Sequence, residues 1–209
     1  MLMKVAESFG IKINTFTHIL EGYKVATKMA KHGAGGGSFS DWWAYKYEVI
    51  DAIPYNGPIL SEAGVLVAYN SDNAEMIRRL NQEAAKAVKY GGLSEEEAWK
   101  YVTLNPAKLL RIDDKVGSIA IGKHADLVIW SHNPLSIYAV AEKTIIEGAI
   151  FYDYSKLDKK IEQNEKEREI IITQLKEAKK GGAKTQPAPV IDKRYFECET
   201  IDIVNENVQ

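Results

Sequence analysis

"VLVAYNSDNAEMIRRL", residues 65–80, is the stretch on which the fold turns. Val65 to Tyr69 is a run of β-branched and apolar residues, the composition of a buried strand. It ends on Asn70-Ser71-Asp72, and an amphipathic helical pattern follows at once. A strand that hands over directly to a helix is half of a βαβ unit. The carboxylate at the junction has two readings. Asp72 could cap the helix by accepting hydrogen bonds from its first N–H groups. It could equally be a catalytic group, because α/β folds place their chemistry at the carboxyl ends of strands.

The same rhythm recurs upstream. "MLMKVAESFGIKINTF" reads as the back half of an amphipathic helix that runs through Gly10 into a strand, Ile11 to Phe16, as if the chain were a piece of something larger. Thr17-His18 follows, then a helical "EGYKVATKMAKHG" that stops at Gly33. "AGGGSFSDWWAYK" holds a short strand around Ser38–Phe39, and its Gly-rich part, "GAGGGS", reads as a turn or pocket-lining loop whose backbone could approach a ligand closely. No Gly-Lys-Ser/Thr follows it, which argues against a phosphate loop. "YEVIDAIPYNGPILSEAG" is helical with a break at Pro54, and a helix from Asn73 to Tyr90 is closed by Gly91-Gly92. Three strand-then-helix units in succession predict a parallel sheet.

After residue 92 the texture changes. "LSEEEAWKYVTLNPAKLL" is a helix capped by Ser94, with Glu97 in the capping-box position and an interruption before Pro106. "KVGSIAIGKHADLVIWSHNPL" reads as two short strands joined at Gly122-Lys123, and "AEKTIIEGAIFYD" as a hairpin turned at Glu147-Gly148. Residues 155–180 form a charge-laced helix with a narrow apolar stripe at Leu157, Ile161, Ile171 and Leu175. "GGAKTQPAPV" is a linker, and "RYFECETIDIV" could add one strand.

Composition narrows the function. With 45% hydrophobic and 27% charged residues in 209, the chain has the make-up of a soluble globular protein. Its net charge of −2 gives no case for a nucleic-acid partner. One cysteine, Cys198, excludes an internal disulfide framework and a Cys-cluster metal site. No run reaches the roughly 18 apolar residues of a membrane span, and these residues hold no signal-peptide pattern, so no membrane partner is expected. Cytoplasm and periplasm both stay open.

His18, Asp41 and Asp72 fall at or just past three successive strand ends. In a parallel barrel all such ends face one rim. A histidine and an aspartate there suit a divalent metal, and an aspartate beside a metal-bound water can take its proton. Trp42-Trp43 with Tyr45 reads as core, with one ring able to wall a pocket. His32 could complement a helix dipole, and His124 and His132 read as surface or turn residues.

Several segments together resemble the metal-dependent amidohydrolase superfamily, closest to imidazolonepropionase-like and Xaa-Pro dipeptidase-like members. "LSEEEAWKYVTLNPAKLLRIDDKVGSIAIGKHADLVIWSHNPL", residues 93–135, resembles the segment where that family's chain leaves its barrel and completes a small β-sandwich. "THILEGYKVATKMAKHG" resembles its sixth barrel strand and helix, and "VLVAYNSDNAE" its eighth strand. The resemblance implies a partial TIM-type (β/α) barrel, strands six to eight, over residues 1–112. Part of a β-sandwich would follow at 113–154, then a charged helix and tail at 155–209. It implies that His18 ligates a metal and that Asp72 both contacts metal and acts as general base. Zinc is the leading metal, with manganese or iron as alternatives, in the complete protein; this chain by itself could bind none. Asp41, Trp42 and the glycine loop around Gly36 are substrate-side candidates.

The family's H-x-H pair, strand-four bridging residue and strand-five histidine have no counterpart here. The implied function is therefore the C-terminal portion of a hydrolase of amide or cyclic amide C–N bonds, incomplete and inactive alone. It would take a small or peptide-like substrate and need the absent half of the barrel, or self-association. The rival reading is a non-catalytic assembly module derived from such an enzyme. A doubly wound binding domain also fits the βα rhythm but leaves the resemblance unexplained.

Overall fold

A computed structural model describes residues 1–44, 46–71, 73, 76–184 and 186. One compact unit spans Met1–Lys156, and a second begins at Leu157. In chain order the first unit contains α1 (Leu2–Ser8), β1 (Thr15–Phe16), α2 (Ala26–His32), β2 (Gly35–Ser38), α3 (Asn56–Glu62), β3 (Val67–Tyr69), α4 (Leu80–Gly91), α5 (Glu95–Lys100), α6 (Leu104–Leu110), β4 (Leu127–Trp130), β5 (Ala141–Ile146) and β6 (Ala149–Asp153). The described part of the second unit is the long helix α7 (Leu157–Lys180). The tail "RYFECETIDIV", expected as a strand, lies outside the described residues.

β1, β2 and β3 form a parallel sheet in that order, with Gly36 opposite both Phe16 and Val67. Its core side is packed by Met29, Leu60 and Val67, each fully buried, and by Tyr101, whose ring meets Tyr69 edge-on at 4.9 Å. The Gly-rich run is thus the central strand and not a loop. Packing explains why glycine is needed there: a methyl at Gly35 would lie 2.2 Å from Leu109 Cδ2 and 3.0 Å from the Leu66 carbonyl oxygen. Leu109 of α6 fills the space a side chain would need, and the Leu66 backbone limits it as well.

β1 is shorter than the expected strand from Ile11 to Phe16. The amide of Ile13, which a longer strand would use, donates instead to His32 Nε2 at 2.9 Å. His32 is buried, its Nδ1 is 2.7 Å from Glu7 Oε1, and both ring nitrogens are thereby satisfied. Helix α2 ends as read from the sequence, with Gly33 left-handed at φ +84. Ser94 caps α5 by accepting from the Glu97 amide at 3.2 Å.

The outer edge of β3 is closed. Tyr69 N–H donates to the Tyr101 carbonyl at 2.8 Å, and Asn105 Nδ2 donates to the Val67 carbonyl at 2.8 Å. The edge strand of an open sheet presents unpaired groups of this kind; on this side the α5–α6 segment takes the place of a strand.

β4, β5 and β6 form an antiparallel sheet, with Glu147 (φ 48) and Gly148 (φ 81) turning the β5–β6 hairpin. The further strand expected before Gly122-Lys123 does not form. Lys123 Nζ donates to Ser118 Oγ at 2.7 Å and to the Asp113 carbonyl, which folds this segment into a loop. Ile119 and Ile121 are left exposed, as are Ile150 and Phe151 of β6.

Candidate functional site at the strand ends

Because the three strands are parallel, their carboxyl ends open on one edge of the sheet. From β1 emerge Thr17 and His18, from β2 Phe39 to Asp41, and from β3 Asn70 and Ser71. Asp72 lies outside the described residues.

His18 is exposed and left-handed, at φ 54, a backbone region that costs a non-glycine residue about 1–3 kcal/mol. Flanking bonds hold it. Ile19 N–H donates to the Gly37 carbonyl at 3.0 Å, which carries β1–β2 pairing past His18. Asn56, buried at the start of α3, donates from Nδ2 to the Ile19 carbonyl and to Ser38 Oγ, both at 2.8 Å. Its Oδ1 accepts from Tyr23 N–H at 2.9 Å. One amide side chain thus pins the loop after β1 to the end of β2.

The imidazole of His18 stands edge-on to Phe39 at 5.1 Å, and Phe39 is stacked on Trp42 at 4.8 Å and 22°. Trp42 Nε1 lies 3.0 Å from Met76 Sδ. Trp42 is half-buried, neither free platform nor core. Trp43 donates to the Ser40 carbonyl at 2.6 Å and meets Tyr90 edge-on, a packing role. Tyr45 lies outside the described residues.

Asp41 is paired with Lys86 of α4, which also reaches Glu83 Oε1 at 3.2 Å. Glu83 is 2% exposed, and its Oε2 accepts from the Ser40 amide at 3.1 Å and from the Ser40 hydroxyl. Burial pushes the Glu83 carboxyl up from its ordinary range, and the bonds from Ser40 oppose it. Burial likewise pulls the Lys86 ammonium down, to about 8, while its two carboxylate neighbours favour the charged form. Glu83, Lys86, Ser40 and Asn56 were not legible as site residues. On α4 the first two read only as the polar side of an amphipathic helix.

The structure therefore brings His18 to the rim together with Phe39, Asp41 and Trp42. Gly36 stands apart from them, in mid-strand: a methyl there would meet Ile19, Met29 and Leu60, the core side. His124 and His132 are exposed and remote from the parallel sheet's rim in the chain's order of elements. The helix expected from Asn73 begins only at Leu80, with no side-chain cap; a 3-10 turn, Met76–Arg79, precedes it, and Ser71 and Asn73 hold the chain that leads into that turn. Asn73 Oδ1 accepts from the Met76 amide and Ser71 Oγ from the Asn73 amide, each at 3.2 Å. Among the described residues no group of three or more His, Cys, Asp or Glu side chains is arranged to hold a metal ion. The described donors at the rim, the His18 imidazole and the Asp41 carboxylate paired with Lys86, fall short of the three protein ligands of a catalytic zinc site.

Comparison with known proteins agrees with this architecture. An amidohydrolase of Thermotoga maritima, solved by crystallography, superposes with a TM-score of 0.67 and 31% identity over 73% of this chain and 40% of its own. Imidazolonepropionase of Shewanella baltica is 55% identical over 38 residues, 18% of this chain and 9% of that protein. An adenosine deaminase of Xanthomonas campestris, solved with bound zinc, shares the fold at a TM-score of 0.55 and 17% identity, over 77% of this chain and 44% of its own. The chain thus spans well under half the length of these relatives. Residues 57–179, more than half of the chain, match the amidohydrolase family as a whole. The α/β fold of this chain is similar to that of the two solved structures, and the chain belongs to the amidohydrolase family.

Proposed function

We propose that this chain is the C-terminal portion of a metal-dependent hydrolase of amide or cyclic amide C–N bonds, and that it is inactive by itself. Residues 1–112 are assigned to strands six to eight of a (β/α) barrel, 113–154 to part of a β-sandwich, and 155–209 to a charged appendage. The observation that carries the reading is His18, strained and exposed on the rim of a parallel sheet in a chain of this family. Asp72 is assigned as second ligand and general base. The chain leaving β3 is held by Ser71 and Asn73, so the bland use of a carboxylate at that junction is already supplied.

In the complete protein His18 and Asp72 would hold a divalent metal, with zinc proposed first and manganese or iron as alternatives. Bound metal makes a water acidic near neutral pH. The described donors of this chain are too few to hold such an ion by themselves. What this chain's residues do is place an imidazole and an apolar wall on the rim. The remaining donors would come from the absent half of the barrel, or from a second copy.

Metal analysis of the purified chain with its solution mass is the test. A monomer with well under one zinc per chain, whose weak zinc affinity falls further in His18→Ala, is the expected result. Zinc affinity indifferent to His18→Ala would remove the ligand assignment. Stoichiometric metal in an active oligomer would overturn the claim that the chain is inactive alone. A second reading, a non-catalytic assembly module, is favoured by the exposed Ile119, Ile121, Ile150 and Phe151. A stable oligomer without metal would favour it.

A further inference from the structure

The rim carries more than a ligand. Phe39 is buried and stacked on Trp42, His18 abuts Phe39 edge-on, and Met76, from the segment after β3, closes the far side against the indole nitrogen. Phe39, Trp42 and Met76 form a continuous apolar shelf beside the proposed ligand His18, with Phe39 as its buried floor and the half-buried Trp42 and Met76 as its face. The shelf is fixed from behind. Ser40, between Phe39 and Asp41, is anchored through amide and hydroxyl to Glu83, and its carbonyl accepts from Trp43. The nearest charges are engaged with one another, Asp41 with Lys86 and Lys86 with Glu83.

We infer that this shelf is a specificity subsite that receives a planar, uncharged group of the substrate next to the scissile C–N bond. The inference deepens the hydrolase reading and rests on it for the identity of that bond. A preformed stack selects flat apolar groups because offset and edge-on ring contacts add to the burial of apolar area, and a rigid wall loses little entropy on binding. A carboxylate there would lose hydration next to Asp41 and Glu83, and Lys86 is already shared between those two.

The test measures binding of the full chain, with no metal added, to N-acetyl-phenylalaninamide, N-acetyl-aspartamide and N-acetyl-lysinamide by titration calorimetry. The phenyl probe should bind about tenfold more tightly than the aspartyl probe. Trp42→Ala should lose about tenfold for the phenyl probe, while Trp42→Phe, which keeps a ring, should stay within about threefold. Equal affinity for the three probes, tighter binding of the lysyl probe, or no binding at all would overturn the subsite. Should Trp42→Ala fail to fold, probe selectivity of the unaltered chain and Trp42→Phe still decides. A chain that selects the phenyl probe but whose His18→Ala form is unchanged toward zinc keeps the subsite and loses the hydrolase assignment; the opposite pattern keeps the assignment and loses the subsite.

Discussion

Replacing Asn56 with alanine removes the side chain that makes the shorter of two side-chain bonds to the His18 loop, at 2.8 Å against 3.4 Å from Ser38. Asn56 is 2% exposed and makes hydrogen bonds of 2.8, 2.8 and 2.9 Å to the Ile19 carbonyl, Ser38 Oγ and the Tyr23 amide. After truncation the Ile19 carbonyl keeps a longer bond from Ser38 Oγ, at 3.4 Å, but the Tyr23 N–H loses the acceptor it has here. Leaving a buried donor unpaired costs about 1–3 kcal/mol, and each further lost bond about 1 kcal/mol, so the total is near 3 kcal/mol. In urea, where a domain of this size has a slope of about 2–3 kcal/mol/M, the midpoint should fall by about 1–1.5 M. Tryptophan fluorescence reports it, since Trp42, Trp43, Trp99 and Trp130 all belong to the unit Met1–Lys156. Asn56→Asp should also destabilise, because it keeps an acceptor for Tyr23 but turns a carboxylate oxygen toward the Ile19 carbonyl. A shift below about 0.3 M for Asn56→Ala, with the slope unchanged, would refute the bracing role. So would strict additivity with Ser38→Ala, since contacting residues couple by about 0.5–3 kcal/mol.

Two further outcomes follow from packing and burial. Gly35→Ala should cost about 1–3 kcal/mol in the same urea assay, because Leu109 can swing away from the new methyl but the Leu66 carbonyl, 3.0 Å off, cannot; a change under about 0.5 kcal/mol would mean that the sheet yields there. Glu83 sets a pH dependence: its carboxyl is raised in the folded chain above the ordinary 4.5, so between those values the folded state binds the extra proton and stability falls as pH rises. Thermal midpoints of the unaltered chain minus those of Glu83→Gln should therefore be highest below pH 4.5 and decline above it, and a difference that stays flat or rises with pH would contradict the burial cost.

Several helix stops and one cap were legible because their signals are local, whereas other boundaries were not: α4 begins at Leu80 and not at Asn73, and Pro106 lies inside α6, with the break before it set back between Lys100 and Leu104. Gly33 and Gly92 end α2 and α4 in the left-handed conformation, and Ser94 caps α5 with its own oxygen, as spacing along the chain alone implies. The strands were legible only where composition and burial coincide, as at Val67–Tyr69. β2 was half legible: the sequence places a strand around Ser38–Phe39, but a glycine run carries no period, and the strand state of Gly35–Gly37 is set by partners on both sides. The missing strand before β4 failed for the converse reason. Its alternation of Val116, Ile119 and Ile121 had no neighbour to pair with, while Lys123 gathered the loop's carbonyls. His18 stood out because an imidazole at a strand end is unusual chemistry. Asn56 and Glu83 did not, since only the fold reveals that an amide and a carboxylate from the helices behind the sheet reach forward to its rim.

That difference bears on what the rim depends upon. The loop bearing His18 is held by Asn56 from α3, the loop bearing Phe39 and Trp42 by Glu83 from α4, and the segment after β3 by Ser71 and Asn73. Among the described residues the Thr15 hydroxyl is the lone buried side-chain polar atom without a hydrogen-bond partner, and it lies in β1 itself. A site organised by its metal would draw folding free energy from ligation, and its loops would need the ion to stay in place. Here the braces are side-chain hydrogen bonds from the helix behind each strand, or from the loop itself. Among the described residues, then, the loops at the rim are braced by the polypeptide's own hydrogen bonds, and the imidazole of His18 and the rings of Phe39 and Trp42 are held by that bracing.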